Sequence, residues 1–233
     1  MKKIISVVLI LTFTAYLLTA CSDNDREFLI YDKNLTGQEL VDSIVQAIPD
    51  SFYVDMNIVV DGEATTMLMI KHSNILKTES LLSEGISVVS VYDYNANTAY
   101  QYFTGDNLTE EERTYGMELS LTDEEIGNGI DYQLQSLEGI GDVLEAYITE
   151  YNGEKVIFIR SSYKYEGSVL VFEIYMSTRY SYPLCLSSYV DGVESVRMDI
   201  IEIDDDYMPE ESFPGIPDYI IFTNYDDYEE PAE

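Results

Sequence analysis

Asn152-Gly153, set between two runs of alternating apolar and polar residues, is the feature that most constrains what this chain can fold into. An Asn-Gly pair takes positive φ at both centres of a two-residue turn, the geometry that joins two antiparallel strands without splaying them. It links Leu144–Tyr151 to Lys155–Tyr163. Asp61-Gly62 plays the same part between the alternating run from Phe52 to Val60 and a strand over Thr65–Lys71, and Asp191-Gly192 joins about 183–190 to Val193–Ile203. Further strands are expected at about 74–82, 86–93 and 168–177, and at 98–103 after the turn Asn95-Ala96-Asn97. Parallel strands need crossovers of a dozen or more residues, and these connections are far shorter. The strands therefore run as antiparallel meanders.

Two stretches change period. Thr36-Gly-Gln-Glu39 reads as a capping box, and Leu40, Val41, Ile44, Val45 and Ile48 follow at helical spacing up to Pro49. Residues 105–142 interrupt the strands. There Thr109-Glu-Glu-Glu112 and Thr122-Asp-Glu-Glu125 put acids where helix N-termini favour them, and Ile130, Leu134, Leu137 and Ile140 keep a helical stripe, which predicts two inserted helices. The expected class is α+β: a strongly curved antiparallel sheet or unclosed β-barrel of about ten strands, with about three helices on its concave side.

The N-terminus reads as a leader. Lys2 and Lys3 precede an apolar stretch from Ile4 to Leu17, and Leu18-Thr-Ala-Cys21 closes it with small residues before a cysteine, the pattern of a bacterial lipoprotein signal peptide. The expected organisation is a signal peptide over 1–20, a polar tether over 21–35, one domain over 36–220 and an acidic tail over 221–233. Acyl groups on Cys21 would hold the mature protein on a membrane, outside the cytoplasm, without a spanning helix.

Charge excludes some partners. The leader takes two of the 12 basic residues and none of the 44 acidic ones from a chain whose formal net charge is already −32. Nucleic acid and anionic headgroups are repelled by such a surface in the absence of basic clusters, and the sequence has none. Enzyme motifs are missing as well. There is no Gly-rich phosphate loop, GxSxG, HExxH or CxxC, the one histidine is His72, and Cys185 sits in an apolar run that suggests a buried small hydrophobe. The expected protein is not an enzyme and has no cofactor. Asp93-Tyr-Asn95-Ala-Asn97 spaces oxygen ligands like a calcium loop, but Thr98 stands where glycine is needed, which favours a hairpin turn. Asp204-Asp205-Asp206 reads as a solvated charge run, and the 21 tyrosines, many alternating on strands, suit either β-propensity or a carbohydrate- or peptide-binding face.

The order helix, meander, helical insertion, second meander resembles the lipoprotein-carrier family typified by LolA and LolB, and similar lipid-anchored proteins of Gram-positive bacteria. Several segments carry it: Met56-Asn-Ile-Val-Val-Asp-Gly62 with Met67-Leu-Met-Ile-Lys71, Val88-Val-Ser-Val-Tyr-Asp93 with Asn97-Thr-Ala-Tyr100, Ile174 to Leu184, Met198 to Ile203, and Pro209-Glu-Glu-Ser-Phe213 with Pro217. The resemblance implies an unclosed barrel whose apolar hollow takes acyl chains under a helical lid. Candidates to line that hollow are Met56, Ile58, Met69, Val89, Val91, Phe158, Ile174 and Met198. The implied function is binding of a lipophilic ligand, an acyl chain or a lipoprotein. The alternative is a non-catalytic scaffold or regulator that meets a protein partner through its acidic surface, and a third reading is a glycan-directed hydrolase or binding module.

The leader is directly testable. Cys21→Ala is expected to leave an unprocessed precursor or to release protein into the medium, and intact-mass analysis of the membrane fraction checks it. A mature N-terminus elsewhere than Cys21, or no acyl mass on it, contradicts the reading.

Overall fold

The computed structural model describes residues 29–46, 51–83, 85–122, 140–165, 167–204 and 215–224. In chain order they form β1 (Leu29–Ile30), α1 (Gly37–Asp42), β2 (Val45–Gln46), β3 (Ser51–Val60), β4 (Glu63–His72), β5 (Ile75–Ser83), β6 (Ile86–Asp93) and β7 (Thr98–Gly105). There follow α2 (Glu110–Thr114), β8 (Tyr115–Ser120), β9 (Asp142–Tyr151), β10 (Glu154–Tyr165), β11 (Ser168–Ser177), β12 (Pro183–Val190), β13 (Val193–Asp204) and β14 (Ile221–Asn224). The predicted hairpins sit on their turns. Asp61/Gly62, Asn152/Gly153 and Asp191/Gly192 take φ of 51/84°, 52/84° and 51/84°, the positive pairs that match the twist of the flanking strands.

Strands β3–β8 form one meander and β9–β13 another, and β13 pairs antiparallel with β3 to fuse them. The result is a single twelve-stranded sheet in the order β14-β8-β7-β6-β5-β4-β3-β13-β12-β11-β10-β9, while β1 and β2 make a separate two-stranded ladder. The sheet is unclosed but curled. A sheet of twelve twisted strands curls, and one continuous packed cluster follows its interior face from Leu76 on β5 to Ala146 on β9. Bulges supply the bend: the register shifts at Arg160/Ser161, Tyr175/Met176, Ser188/Tyr189 and Ile200/Glu202, one for each strand pairing named.

The α+β expectation is corrected. The described chain is mostly β, with twelve strands in its main sheet rather than about ten, and two helices of six and five residues. Three local events explain the difference. The first helix stops at Asp42 because Val45 and Gln46 pair with Ile30 and Leu29. Tyr115–Ser120, inside the stretch expected to be helical, pairs with β7, and Ile221–Asn224, inside the expected tail, adds beside β8 in parallel. The second inserted helix falls on residues outside the described ones. Of the two helices only α1 contributes to the interior, through Leu40 and Val41; α2 buries nothing.

The expected cap at Thr36 does not form: its side chain makes no capping hydrogen bond. Gly37 takes φ +61°, so the backbone leaves the helical path at the first position and the Glu39 amide is not returned to the threonine. The full box appears at α2 instead. Thr109 Oγ1 accepts from the Glu112 amide at 3.3 Å, and Glu112 Oε2 accepts from the Thr109 hydroxyl at 2.6 Å and the Thr109 amide at 2.8 Å; these two bonds, the hydroxyl's first, hold the Glu112 carboxyl below its usual pKa.

The sheet has two faces with different fates. The interior face carries Val54, Met56, Ile58, Met67, Met69, Ile157, Ile159, Ile174, Met176, Leu186 and Met198, and Leu29, Leu40 and Val41 pack against it. On the outer face of the first meander, Ile216 and Ile220 pack on Val89 and Val91, and Phe222 of the edge strand β14 joins them beside Tyr100 and Tyr102. Gly116 makes room for that ring, since a Cβ there would meet Phe222 at 2.5 Å.

Three interior hydroxyls stand out, those of Ser80, Ser161 and Tyr182, each buried without a hydrogen-bond partner. A buried unsatisfied hydroxyl costs about 1–3 kcal/mol. Tyr182→Phe is therefore expected to leave the urea midpoint at pH 7 unchanged or to raise stability by about 1 kcal/mol; a clear loss would mean that the hydroxyl is satisfied. Burial also holds the Tyr182 pKa above its ordinary 10.0. The unfolded phenol ionises first, so the stability this group contributes is complete below pH 10 and falls as the pH rises above it. In Tyr182→Phe that part of the alkaline loss disappears.

Candidate functional site

Five of the eight residues expected to line a hollow share the interior cluster. Met56, Ile58, Met69, Ile174 and Met198 are 0–3% exposed. Register explains their meeting: Met198 lies opposite Ile58, and Leu186 lies opposite both Met198 and Ile174 on its two flanks. The other three face outward. Val89 and Val91 pack in a cluster with Ile216 and Ile220, and Phe158 lies between Tyr147 and Tyr175. Val156-Ile-Phe-Ile159 and Val88-Val89 are unbroken apolar runs, buried on both sides, so alternation could not say which residue points inward.

The side chains that converge with polar chemistry are on the outer face of β9–β13, which the sequence reading did not single out. Cross-strand pairing builds two adjacent rows perpendicular to the strands. One runs Tyr147, Phe158, Tyr175, Cys185, Asp199, and the other Glu145, Arg160, Glu173, Ser187, Arg197. The rings touch in sequence. Phe158 is 5.2 Å from Tyr147 and 5.1 Å from Tyr175 between centroids, and Tyr151 lies 4.5 Å from Tyr175. Flanked by Tyr147 and Tyr175, Phe158 is only 6% exposed, while Tyr147 keeps 39%.

Beside the rings, guanidinium and carboxylate groups pair. Arg197 Nε and Nη2 donate to Asp199 Oδ2 and Oδ1 at 2.6 and 2.9 Å, a bidentate fork, and Nη1 lies 4.0 Å from Glu194. Arg160 is 3.4 Å from Glu173, which also accepts from the Tyr189 hydroxyl at 3.3 Å. The Tyr151 hydroxyl donates to Asp199 Oδ1 at 3.3 Å. The Arg197 fork holds the Asp199 carboxyl below its usual pKa and raises that of the guanidinium in return. Burial pushes Cys185 up to about 11 and Tyr151 up to about 12, and raises Tyr175 and Tyr189. At neutral pH the patch thus presents protonated phenols, an inert thiol and ion pairs, chemistry suited to stacking and hydrogen bonding.

Other groups from the sequence reading have local roles. Asp93 Oδ1 accepts from the Asn95 and Ala96 backbone amides at 2.9 and 3.0 Å, and Asn95 Oδ1 accepts from Asn74 Nδ2 at 2.8 Å, so these oxygens hold the turn. His72 Nδ1 and Ser51 Oγ are 2.8 Å apart at the exposed ends of β3 and β4. Among the described residues no three His, Cys, Asp or Glu side chains gather as metal ligands; Asp205 and Asp206 lie outside them. A half-open cleft of about 670 Å³ between the end of β7, α2 and Tyr219 contains Arg113, whose guanidinium is bonded to the carbonyls of Leu108 and Asp106.

No protein-family model matches the sequence, and no curated protein matches it. Among solved structures the chain is similar to the complex of Pseudomonas aeruginosa MucA and MucB, at 14% identity and a TM-score of 0.45, over 71% of this chain and 55% of that one. It is also similar to the crystal structure of MucB, at 13% identity and a TM-score of 0.41, over 73% of this chain and 58% of that one. The chain thus spans little more than half the length of these structures, and likeness at this level carries no argument about what it does.

Proposed function

We propose that this is a lipid-anchored, extracytoplasmic and non-catalytic protein that works by binding a protein partner. The observation that carries this reading is the contrast between the two faces. The interior that an acyl chain would need is lined by Met56, Met69, Ile157 and Ile159, all at 0% exposure, beneath Leu29, Leu40 and Val41. The outer face of β9–β13 instead offers partly exposed tyrosines and arginines, the residue types that dominate binding hot spots. The anchor rests on the lipoprotein signal pattern ending at Cys21, and the absence of catalysis on the missing motifs and the protonated Cys185.

A carrier of lipophilic ligands is the second reading, and one observation favours it. The unpartnered hydroxyls of Ser80, Ser161 and Tyr182 are polar groups inside an apolar interior, as a ligand with a polar head would require. Native mass spectrometry of the full chain, released in detergent from its own membrane and then lipid-extracted, separates the two. The expected mass is the mature chain with its anchor and no second acyl compound, and crosslinking in intact cells is expected to yield an adduct with another protein. A copurifying acyl compound that is lost in a folded Met56→Glu variant, with no protein adduct, overturns the proposal in favour of the carrier.

A further inference from the structure

The outer face is not uniform. Over the first meander it is already occupied: Ile216 and Ile220 pack on Val89 and Val91, and Phe222, on the edge strand β14, reaches over Gly116 to within 5.1 Å of Tyr100 and 6.4 Å of Tyr102. There the outer-face tyrosines of the strands take a neighbouring ring edge-on and the aliphatic side chains take aliphatic ones. Over β9–β13 the same kind of ring row recurs, and Tyr147 keeps 39% of its surface exposed.

Charge then selects the occupant. With a formal net of −32, the molecule repels acidic partners and second copies of itself at long range, and steers basic ones inward. On this face Glu145, Glu173, Glu194 and Asp199 stand around two guanidinium groups, Arg160 and Arg197, with Lys164 farther along β10. Asp199 and Glu173 already accept through both oxygens, but a carboxylate has about four acceptor sites, so each can take further N–H donors, and the flanking tyrosine faces attract cations. The existing pairs also lower the cost of docking, since acids already bonded to arginine are not left uncompensated when water is excluded.

We infer that the outer face of β9–β13 is the docking surface for a basic, extended segment of the protein partner, laid across Tyr147, Phe158 and Tyr175 with its Lys or Arg side chains between the rings and Glu145, Glu173 and Glu194. This rests on the protein-partner reading above and adds to it the place and the chemistry.

Two measurements on the full chain test it. In the first, a peptide of alternating Lys and Thr, its Glu-Thr counterpart and a chito-oligosaccharide are titrated against the protein in detergent. The Lys-Thr peptide is expected to bind with an affinity that falls as salt rises, and to lose about tenfold in Tyr147→Ala and in the charge variant Glu173→Gln, but not in Ile221→Ala at the opposite sheet edge. Equal binding by the Glu-Thr peptide, binding of the oligosaccharide instead, or indifference to the first two variants overturns the assignment. In the second, a photo-crosslinking residue is placed in cells at Tyr147 or at Ile221. Adducts from Tyr147 to a Lys- or Arg-rich segment support the surface. A protein caught only from Ile221 overturns this surface while the protein-partner reading stands, and no adduct from either position, together with none from general crosslinking, overturns both.

Discussion

The pairing of β13 with β3 is the constraint on which the rest of the molecule depends. Each meander alone would end in a long exposed strand edge, an invitation to pair with another chain. Joined, Met198 sits opposite Ile58 and Ile200 opposite Met56, and residues more than a hundred positions apart become neighbours on one apolar face. The bulge at Ile200/Glu202 lets the fused sheet bend rather than lie flat. Curling brings Ala146 and Ile159 from one side and Met69 and Leu76 from the other into a single cluster, closed by α1 and by β1, where the Leu29 amide donates to the Thr178 carbonyl at 3.3 Å. Burial of each large side chain in that cluster contributes about 1.5–3 kcal/mol, which makes the interior the main source of stability.

The outer face of the second meander answers to a different logic. Arg197 and Asp199 are 42% and 33% exposed, and ion pairs in that setting contribute about 0–1 kcal/mol. Their bidentate geometry and the stacked tyrosines beside them are therefore poorly accounted for by stability. Recognition accounts for them better, because ring faces and partly filled carboxylates are worth more once a partner excludes water. On the first meander the equivalent surface is closed by the chain itself, with Phe222 resting where Gly116 leaves room.

Much of the architecture was legible along the chain. Asp61-Gly62, Asn152-Gly153 and Asp191-Gly192 named their hairpins because positive φ is a local demand that few residue pairs meet. Helix content was overestimated for an equally physical reason. Leu40, Val41 and Ile44 do make a helical stripe, but Val45 and Gln46 gain more by pairing with β1, and Tyr115–Ser120 by pairing with β7. The site was less legible than the fold. Met56 and Ile58 stand in an alternating run with Asp55 and Asn57 and declared their face, whereas Met69, Phe158 and Val89, in apolar runs, did not.

What the sequence by itself determined is whatever depends on neighbouring residues: the turns, the strands between them, the antiparallel direction imposed by short connections, and the acidic charge. Tertiary structure alone decided which side of the uniformly apolar strands became interior, that the last strand of the second meander would meet the first strand of the first, and that Tyr151, Tyr175, Arg197 and Asp199 would gather in one place. These are consequences of register between distant segments. A shift of one residue in the β12–β13 ladder would turn Arg197 and Asp199 inward and Met198 outward, and no local propensity distinguishes the two arrangements until the apolar face finds its partners.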